Sequence, residues 1–196
     1  VVLVPGRNEW AQGKLTLPGG IMGRGETLDE AADRILERDT NISDVYKEQL
    51  YTFSAHNRDD RGDVISCSYY TLVGAQAFLS RIDFTKVALV PYDQISSDTV
   101  AYDHAQIIAY AYQRLQWKME YTNVVRNILP NKFSLRGLQN VYEIIMNKAF
   151  DKRNFRKKIL SLDMLIETAE FDTTNSKRPA KLYTFSDSEL KIIGII

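Results

Sequence analysis

The sequence predicts an α+β protein with two domains, a larger one of mixed strands and helices and a smaller one of helices and a hairpin. In the first 122 residues, short apolar strand segments alternate with amphipathic helical segments. After residue 122, two helical segments follow each other directly and two strand segments come next. The charge also changes sign between the two parts. We therefore predict domains at 1–122 and 123–196.

The charge distribution is uneven, although the chain carries 25 basic and 25 acidic residues overall. Residues 1–126 contain 13 Lys and Arg against 17 Asp and Glu, whereas residues 127–185 contain 11 against 6. An acidic body joined to a basic module is typical of a protein of which one part contacts phosphate. A single cysteine, Cys67, excludes an internal disulfide framework and a zinc site built on several cysteines. Because no signal peptide or membrane-spanning run is visible, we expect a cytoplasmic protein.

The first domain is predicted to be a mixed-sheet α/β/α sandwich. Its predicted strands are 1–4, 14–17, 49–54, 64–73 and 87–90. A helix is predicted over 28–36, with Thr27 as its N-cap, and a long helix from Asp103 to Trp117 or beyond. Because an apolar strand stands at the very start of the sequence, we expect an N-terminal strand of the natural domain to be missing.

The second domain is predicted to contain two helices and a two-stranded hairpin. Ser134 is a suitable cap for a helix ending at Met146, and Asp151 for a helix over 152–162. Two strand segments, 165–168 and 181–185, flank a polar turn. This order is typical of a winged helix-turn-helix domain.

The predicted helix at 28–36 lies within a segment that resembles the Nudix box. The residues that carry the resemblance are Leu17-Pro18-Gly19-Gly20, Gly25-Glu26-Thr27-Leu28, Ala31-Ala32 and Arg34. The family's metal-binding glutamates would fall at positions 35, 38 and 39, where this chain has Ile35, Arg38 and Asp39, and Asn41 replaces the second glycine. These three positions share one helix face. One carboxylate beside arginines is a poor Mg²⁺ site, so we expect no catalytic residue, no metal and no cofactor.

Two interpretations of this segment remain open. In the first, Arg34, Arg38 and Glu26 belong to a pocket that binds a phosphate-bearing effector without cleaving it. In the second, Glu26 and Arg34 pair with each other and only hold the loop.

A similar choice applies to the loop at 57–63 and the strand start that follows it. It resembles a segment of Nudix-like regulators and of their ADP-ribose-hydrolysing relatives, with Asp60 in place of the usual proline and Asp63 where an arginine is common. Arg58 and Arg61 are candidates for contacting the phosphates of an effector, because a guanidinium fork fits phosphate oxygens. The alternative is a solvated turn held by Asp–Arg pairs.

The most basic segment of the chain is predicted to be a DNA-recognition helix. Phe155, Ile159 and Leu162 recur at helical spacing and anchor it, which leaves the candidate DNA contacts Lys152, Arg153, Asn154, Arg156 and Lys157. Arginine and asparagine can bind base edges, and lysine suits phosphates. Lys177 and Arg178 fall at the predicted wing tip, where they are further candidates.

Together, the two halves resemble the Nudix-related transcriptional regulators. That resemblance implies a homodimeric regulator, most often a repressor, which binds a palindromic DNA operator and senses ADP-ribose or a sugar derivative in the control of NAD or sugar metabolism. The alternatives are an ADP-ribose pyrophosphatase with an atypical metal site, which Ile35 and Arg38 disfavour, and a protein-interaction adaptor, which leaves the basic helix unexplained.

Overall fold

The chain divides into two units of structure, Val1–Tyr112 and Gln113–Ile196. The structure, a computed structural model, describes residues 1–11, 13–59, 61–173 and 179–195. Both units combine helices with paired strands, so the predicted α+β class is confirmed. Within the described ranges, no helix is both long enough and apolar enough to cross a membrane.

The first unit contains a three-stranded sheet and a separate strand pair. In the sheet, β1 (Val2–Pro5) lies between β2 (Leu15–Thr16) and a later strand, β5 (Ala88–Leu89), antiparallel to both. A parallel bridge between Leu15 and Val100 adds a parallel pairing to these antiparallel ones, so the sheet is mixed, as predicted. The strand pair consists of β3 (Tyr46–Phe53) and β4 (Ser66–Leu72), which run antiparallel with a register shift between Gln49 and Tyr51.

The helices of the first unit begin where the sequence provides capping residues, with one exception. In α1 (Leu28–Thr40), Thr27 and Glu30 form a capping box, and Asn41 ends the helix in the left-handed conformation. The long helix, α3 (His104–Tyr121), begins after Asp103 as predicted and ends in the second unit. A short helix, α2 (Ala75–Leu79), was not predicted, because Gly74 before it offers no side-chain cap.

Among the described residues, two apolar clusters contribute to the core of the first unit, and α3 supplies one buried residue to each. Leu3, Val100 and Ile108 make up the first cluster. The neighbouring residue, Ile107, belongs to the second, with Leu50 of β3 and a tyrosine of β4. Leu17 packs against both clusters, so the segment after β2 is fixed from two sides.

The second unit has the helices and the hairpin that the sequence predicts. After the short strand β6 (Phe133–Ser134) come α4 (Leu135–Met146), α5 (Lys152–Leu160), β7 (Leu165–Asp172) and β8 (Ala180–Phe185). The strands form an antiparallel sheet in the order β6-β8-β7. Both predicted caps are confirmed, because Ser134 accepts from the N–H of Gly137 at 3.1 Å and Asp151 accepts from Asn154 at 2.9 Å.

The segment after β8 packs on the end of α3. The backbone N–H groups of Ile193 and Ile195 donate to the carbonyls of Tyr121 and Glu120 at 2.6 and 2.8 Å. Asn123, which is buried, accepts from the N–H of Lys191 at 2.7 Å and donates to the carbonyl of Glu189 at 3.0 Å. The segment after β8 is therefore attached by hydrogen bonds to the last turn of α3 and to Asn123 just beyond it.

Candidate functional site

The loop between β2 and α1 is held at its start by a buried histidine. Nδ1 of His104 accepts the backbone N–H of Leu17 at 3.0 Å. Burial lowers the pKa of His104 to about 4, so its imidazole is neutral at physiological pH and keeps a lone pair for this contact. The sequence offered no signal for this role beyond the position of His104 next to a helix cap. The histidine thus fixes the chain immediately before the Pro18-Gly19-Gly20 turn.

The end of the same loop is held by an ion pair between Glu26 and Arg34. Nε of Arg34 donates to Glu26 Oε2 at 2.9 Å, and its Nη2 donates to the carbonyl of Ile21 at 3.1 Å. Glu26 also accepts the N–H of Gly23. The hydrogen bond from Arg34, together with that from Gly23, lowers the pKa of Glu26 to about 2. This pairing is the one expected if both residues hold the loop, and Arg34 nevertheless remains partly exposed.

The helix positions that would carry metal ligands in a Nudix enzyme do not fit Mg²⁺. Ile35 packs on the loop so closely that a methyl group added at Gly20 would lie 3.2 Å from its Cδ1 atom. Asp39, only 1% exposed, accepts hydrogen bonds at both carboxylate oxygens, from Arg38 at 2.7 and 2.8 Å and from Arg7 at 2.6 Å. Mg²⁺ requires several oxygen ligands in octahedral geometry. One carboxylate already engaged by two guanidinium groups does not supply them.

The ionisation of Asp39 follows from the same contacts. Burial alone would raise its pKa, but the hydrogen bonds from Arg38 and Arg7 outweigh burial, and the pKa lies below its ordinary value. Arg38 also donates to the carbonyl of Gly19 at 2.8 Å, so this ion-pair cluster is tied to the glycine turn. Arg7 was missed by the sequence analysis, because 32 residues separate it from Asp39 and no local pattern links them.

The two arginines of the loop at 56–63 each have a carboxylate partner. Arg58 forms a bidentate pair with Asp103 at 2.7 and 2.8 Å, and its side chain is only 5% exposed. Arg61 pairs with Asp59 and lies over the ring of Tyr102, 5.4 Å from its centroid. The Asp–Arg pairs of the alternative interpretation are therefore present. Of these two candidate effector contacts, Arg61 is the one with an exposed side chain.

The structure places the five candidate effector residues in two groups. One group lies on the loop before α1 and on α1 itself, namely Glu26, Arg34 and Arg38. The other group, Arg58 and Arg61, lies on the loop before β4. The N-terminal end of α3 connects them, because Asp103 holds Arg58 while the next residue, His104, holds Leu17.

Helix α5 presents an exposed basic face on a buried apolar anchor. Phe155 and Ile159 are buried, and the rings of Phe155 and Tyr142 of α4 lie 5.4 Å apart. Five predicted DNA contacts are exposed, namely Lys152, Arg153, Asn154, Arg156 and Lys157. Among the residues that the structure describes, none of the four cations in that set forms an ion pair. Their charge is thus available for an anionic partner.

The turn between α4 and α5 is fixed by a polar network that sequence analysis did not detect. Gln139 donates to Glu143 and to the carbonyl of Phe150, both at 2.9 Å. Glu143 accepts the N–H of Phe150 at 2.9 Å. The pKa of Glu143 lies below its ordinary value, mainly because of that backbone hydrogen bond. These contacts set the point at which α5 leaves α4.

Further cations lie on the hairpin that follows α5 and directly before β6. Lys181 of β8 pairs with Glu167 of β7, and Lys132 pairs with Glu170. Unlike the cations of α5, these two are neutralised within the hairpin region. The predicted tip residues Lys177 and Arg178 lie outside the described residues.

The second unit matches a known DNA-binding family. Residues 125–185 match the family described as the NrtR DNA-binding winged helix domain. A crystal structure of Shewanella oneidensis NrtR complexed with a 27mer DNA is similar, with a TM-score of 0.83 and 32% identity, over 94% of this chain and 85% of that one. The predicted winged helix is confirmed.

An ADPR responsive transcriptional repressor, NtrR, of Acinetobacter baylyi is similar over most of the chain. It is 31% identical over 93% of this chain and 72% of that protein. An ADP-ribose pyrophosphatase of Methanocaldococcus jannaschii is also 31% identical, over 60% of this chain and 67% of the enzyme.

The fold of a MutT/nudix family protein from Enterococcus faecalis is similar as well, with a TM-score of 0.72 and 24% identity, over 95% of this chain and 80% of that one. The resemblance to a Nudix domain followed by a winged helix is thereby confirmed, and the chain belongs to the NrtR family of transcriptional regulators.

Proposed function

We propose that this protein is a transcriptional repressor which binds DNA through α5 and the hairpin and whose first domain, residues 1–122, senses ADP-ribose. The observation that carries the proposal is the exposed face of α5, whose candidate cations form no ion pair among the described residues. The similarity to a repressor named for its response to ADPR supports the choice of effector.

Specific residues have distinct roles in the proposed complex with DNA. Arg153 and Asn154 stand in the first turn of α5, the end that meets base edges in helix-turn-helix complexes, so they contact bases. The neighbouring cations contact phosphates and give no sequence preference. They are Lys152, Arg156 and Lys157, joined by Lys177 and Arg178 of the predicted wing tip. Two copies of the chain bind a palindromic operator with half-sites about 10 bp apart.

The effector binds in the first unit through the arginines that keep exposed donors. These are Arg34, Arg38 and Arg61, whose side chains are 43%, 41% and 47% exposed while each is paired with a carboxylate. Glu26 and Arg58 position the two loops instead, because their polar atoms are engaged within the protein. Effector binding favours a dimer geometry that no longer fits the operator, and a coupling of about 2 kcal/mol changes DNA affinity about thirtyfold.

A fluorescence anisotropy titration on DNA from upstream of the protein's own operon, with and without ADP-ribose, tests both parts. We expect selective binding that ADP-ribose weakens. A double variant, Arg153→Ala with Asn154→Ala, loses selective binding, whereas Lys86→Ala, which removes an exposed cation from the first unit, leaves it unchanged. Selective binding that ADP-ribose leaves unchanged contradicts the sensor role. Absence of selective binding, also after unbiased operator selection, contradicts the regulator.

The second candidate function is hydrolysis of ADP-ribose, which the similarity to an ADP-ribose pyrophosphatase favours. We propose that the chain is not a hydrolase, because the donor set at positions 35, 38 and 39 does not fit Mg²⁺. Incubation of the protein with ADP-ribose and Mg²⁺, with chromatography of the products, tests this. Turnover at an ordinary enzymatic rate would refute the proposal.

A further inference from the structure

We propose that Arg7 and Arg38, held together by the buried Asp39, take the place of the divalent cation, so that the protein binds the diphosphate of its effector without a metal. This inference rests on the proposed function, because it assumes an effector that contains a diphosphate. It adds Arg7 to the effector site and specifies which side chains supply the positive charge of that site.

The geometry of the ion-pair cluster provides the first argument. Asp39 is buried, and its two oxygens accept three hydrogen bonds from two guanidinium groups at 2.6 to 2.8 Å. One guanidinium comes from α1 and the other from the segment between β1 and β2. A single carboxylate therefore fixes two cations side by side and leaves one net positive charge at the helix face that holds the metal in a Nudix enzyme.

The second argument is the number of donors left over. A guanidinium group has five N–H donors. Among the described residues, Arg7 uses one of them, on Asp39, and Arg38 uses three, two on Asp39 and one on the carbonyl of Gly19. The two side chains are 60% and 41% exposed, so the unused donors are within reach of a ligand in solvent. Guanidinium donors bind phosphate oxygens in pairs with favourable geometry.

The third argument concerns the space beside these donors. A methyl group added at Gly20 would lie only 3.4 Å from Nη1 of Arg38, so the glycine leaves the approach to this nitrogen open. On the same side, Ile35 presents carbon atoms where a Nudix enzyme has a carboxylate. An anion that approaches the turn here meets guanidinium N–H groups and an apolar wall, and the carboxylate of Asp39 is already paired. The site is thus suited to an anion and unsuited to a divalent cation.

Isothermal titration of the full chain with ADP-ribose, in excess EDTA and in Mg²⁺ at matched ionic strength, tests the inference. We expect the two dissociation constants to agree within about threefold. Arg7→Ala should weaken binding roughly 10- to 100-fold in both buffers, as loss of charge-assisted hydrogen bonds does, and Arg7→Lys should restore part of it. The matched control is Lys86→Ala, because this lysine is equally exposed at 58% and also paired with an aspartate.

The outcomes distinguish the inference from the proposed function. Binding that requires Mg²⁺, or an Arg7→Ala variant that binds as tightly as the control, overturns the inference and leaves the effector role intact. Absence of ADP-ribose binding in both buffers overturns the effector role and the inference with it. Operator affinity without effector shows that each variant is folded, since Arg7 lies outside the proposed DNA contacts. If Arg7→Ala does not fold, the dissociation constants of the unaltered protein and of Arg7→Lys in the two buffers still show whether ADP-ribose binding requires Mg²⁺.

Discussion

His104 makes the stability of the first unit dependent on pH in a way that one substitution can isolate. Its Nδ1 accepts the N–H of Leu17 at 3.0 Å, so this nitrogen carries no proton in the folded protein. Burial lowers the pKa of the imidazole to about 4, against an opposing contribution from Asp103. Protonation would put an N–H group on Nδ1, facing the backbone N–H of Leu17. The hydrogen bond would then be lost, and the start of the Pro18-Gly19-Gly20 turn would be released.

The size and direction of the effect follow from linkage. Between the ordinary pKa of 6.5 and the folded-state value of about 4, the unfolded chain takes up a proton on His104 and the folded chain does not. The free energy of unfolding therefore falls as the pH falls through this window, and the contribution is fully present above pH 6.5. Because one pKa unit corresponds to about 1.4 kcal/mol, the loss at pH 4 reaches about 3 kcal/mol.

The assay is urea denaturation at a series of pH values with the unaltered protein, His104→Asn and His56→Asn. An asparagine oxygen can still accept the N–H of Leu17 but does not titrate, so His104→Asn should lose less stability between pH 7 and pH 4 than the unaltered protein. His56 is exposed and serves as the matched control, whose profile should follow that of the unaltered protein. Parallel profiles for all three proteins would refute the reasoning.

Three further predictions concern the second unit. Asn123→Ala, which removes the side-chain contacts to Glu189 and Lys191, should lower the free energy of unfolding by about 1–3 kcal/mol in chemical denaturation, and an unchanged midpoint would contradict this. Arg156→Ala should weaken binding to all DNA sequences alike and reduce the slope of log affinity against log salt by about 1 per bound subunit, whereas a change in sequence preference would indicate a base contact. Gln139→Ala, which removes the hydrogen bond to the carbonyl of Phe150, should weaken operator binding while the melting temperature changes little. Equal operator affinities of this variant and the unaltered protein would show that the network is not needed to position α5.

Local signals in the sequence predicted most elements, because a helix cap and the periodic spacing of apolar residues each depend on residues that are close together in the sequence. Thr27, Ser134 and Asp151 each stand directly before a helix, and each side chain accepts the backbone N–H expected of a cap. Where the local signal was weak, the prediction failed or was too short. The first half of β3 is polar, and the insertion around Leu50 breaks its alternation, so the strand begins three residues before the predicted start at 49.

The sites were predicted less completely, because their contacts join distant parts of the chain. The sequence identified Arg58 as a candidate effector contact and Asp103 as a helix cap, but gave no sign that the two form a buried ion pair across 45 residues. Arg7 and Asp39 are a second case of the same kind. A cap needs only its own helix, whereas a salt bridge between loops depends on the tertiary fold.

The two candidate sites use positive charge in opposite ways. In the first unit, each candidate arginine is paired with a carboxylate of the protein; the pairs are Arg34 with Glu26, Arg38 with Asp39, Arg58 with Asp103 and Arg61 with Asp59. A ligand phosphate that binds the unused N–H donors there shares each guanidinium group with a carboxylate of the protein, so it acts on the same side chains that fix the loops and α1. On α5 the candidate cations form no ion pair with a described carboxylate, although Arg156 interacts electrostatically with Glu167, so a polyanion can bind without displacing a paired carboxylate. An effector site built of arginines that also fix the loops is therefore suited to changing conformation on binding, and a basic helix without ion pairs to binding DNA tightly.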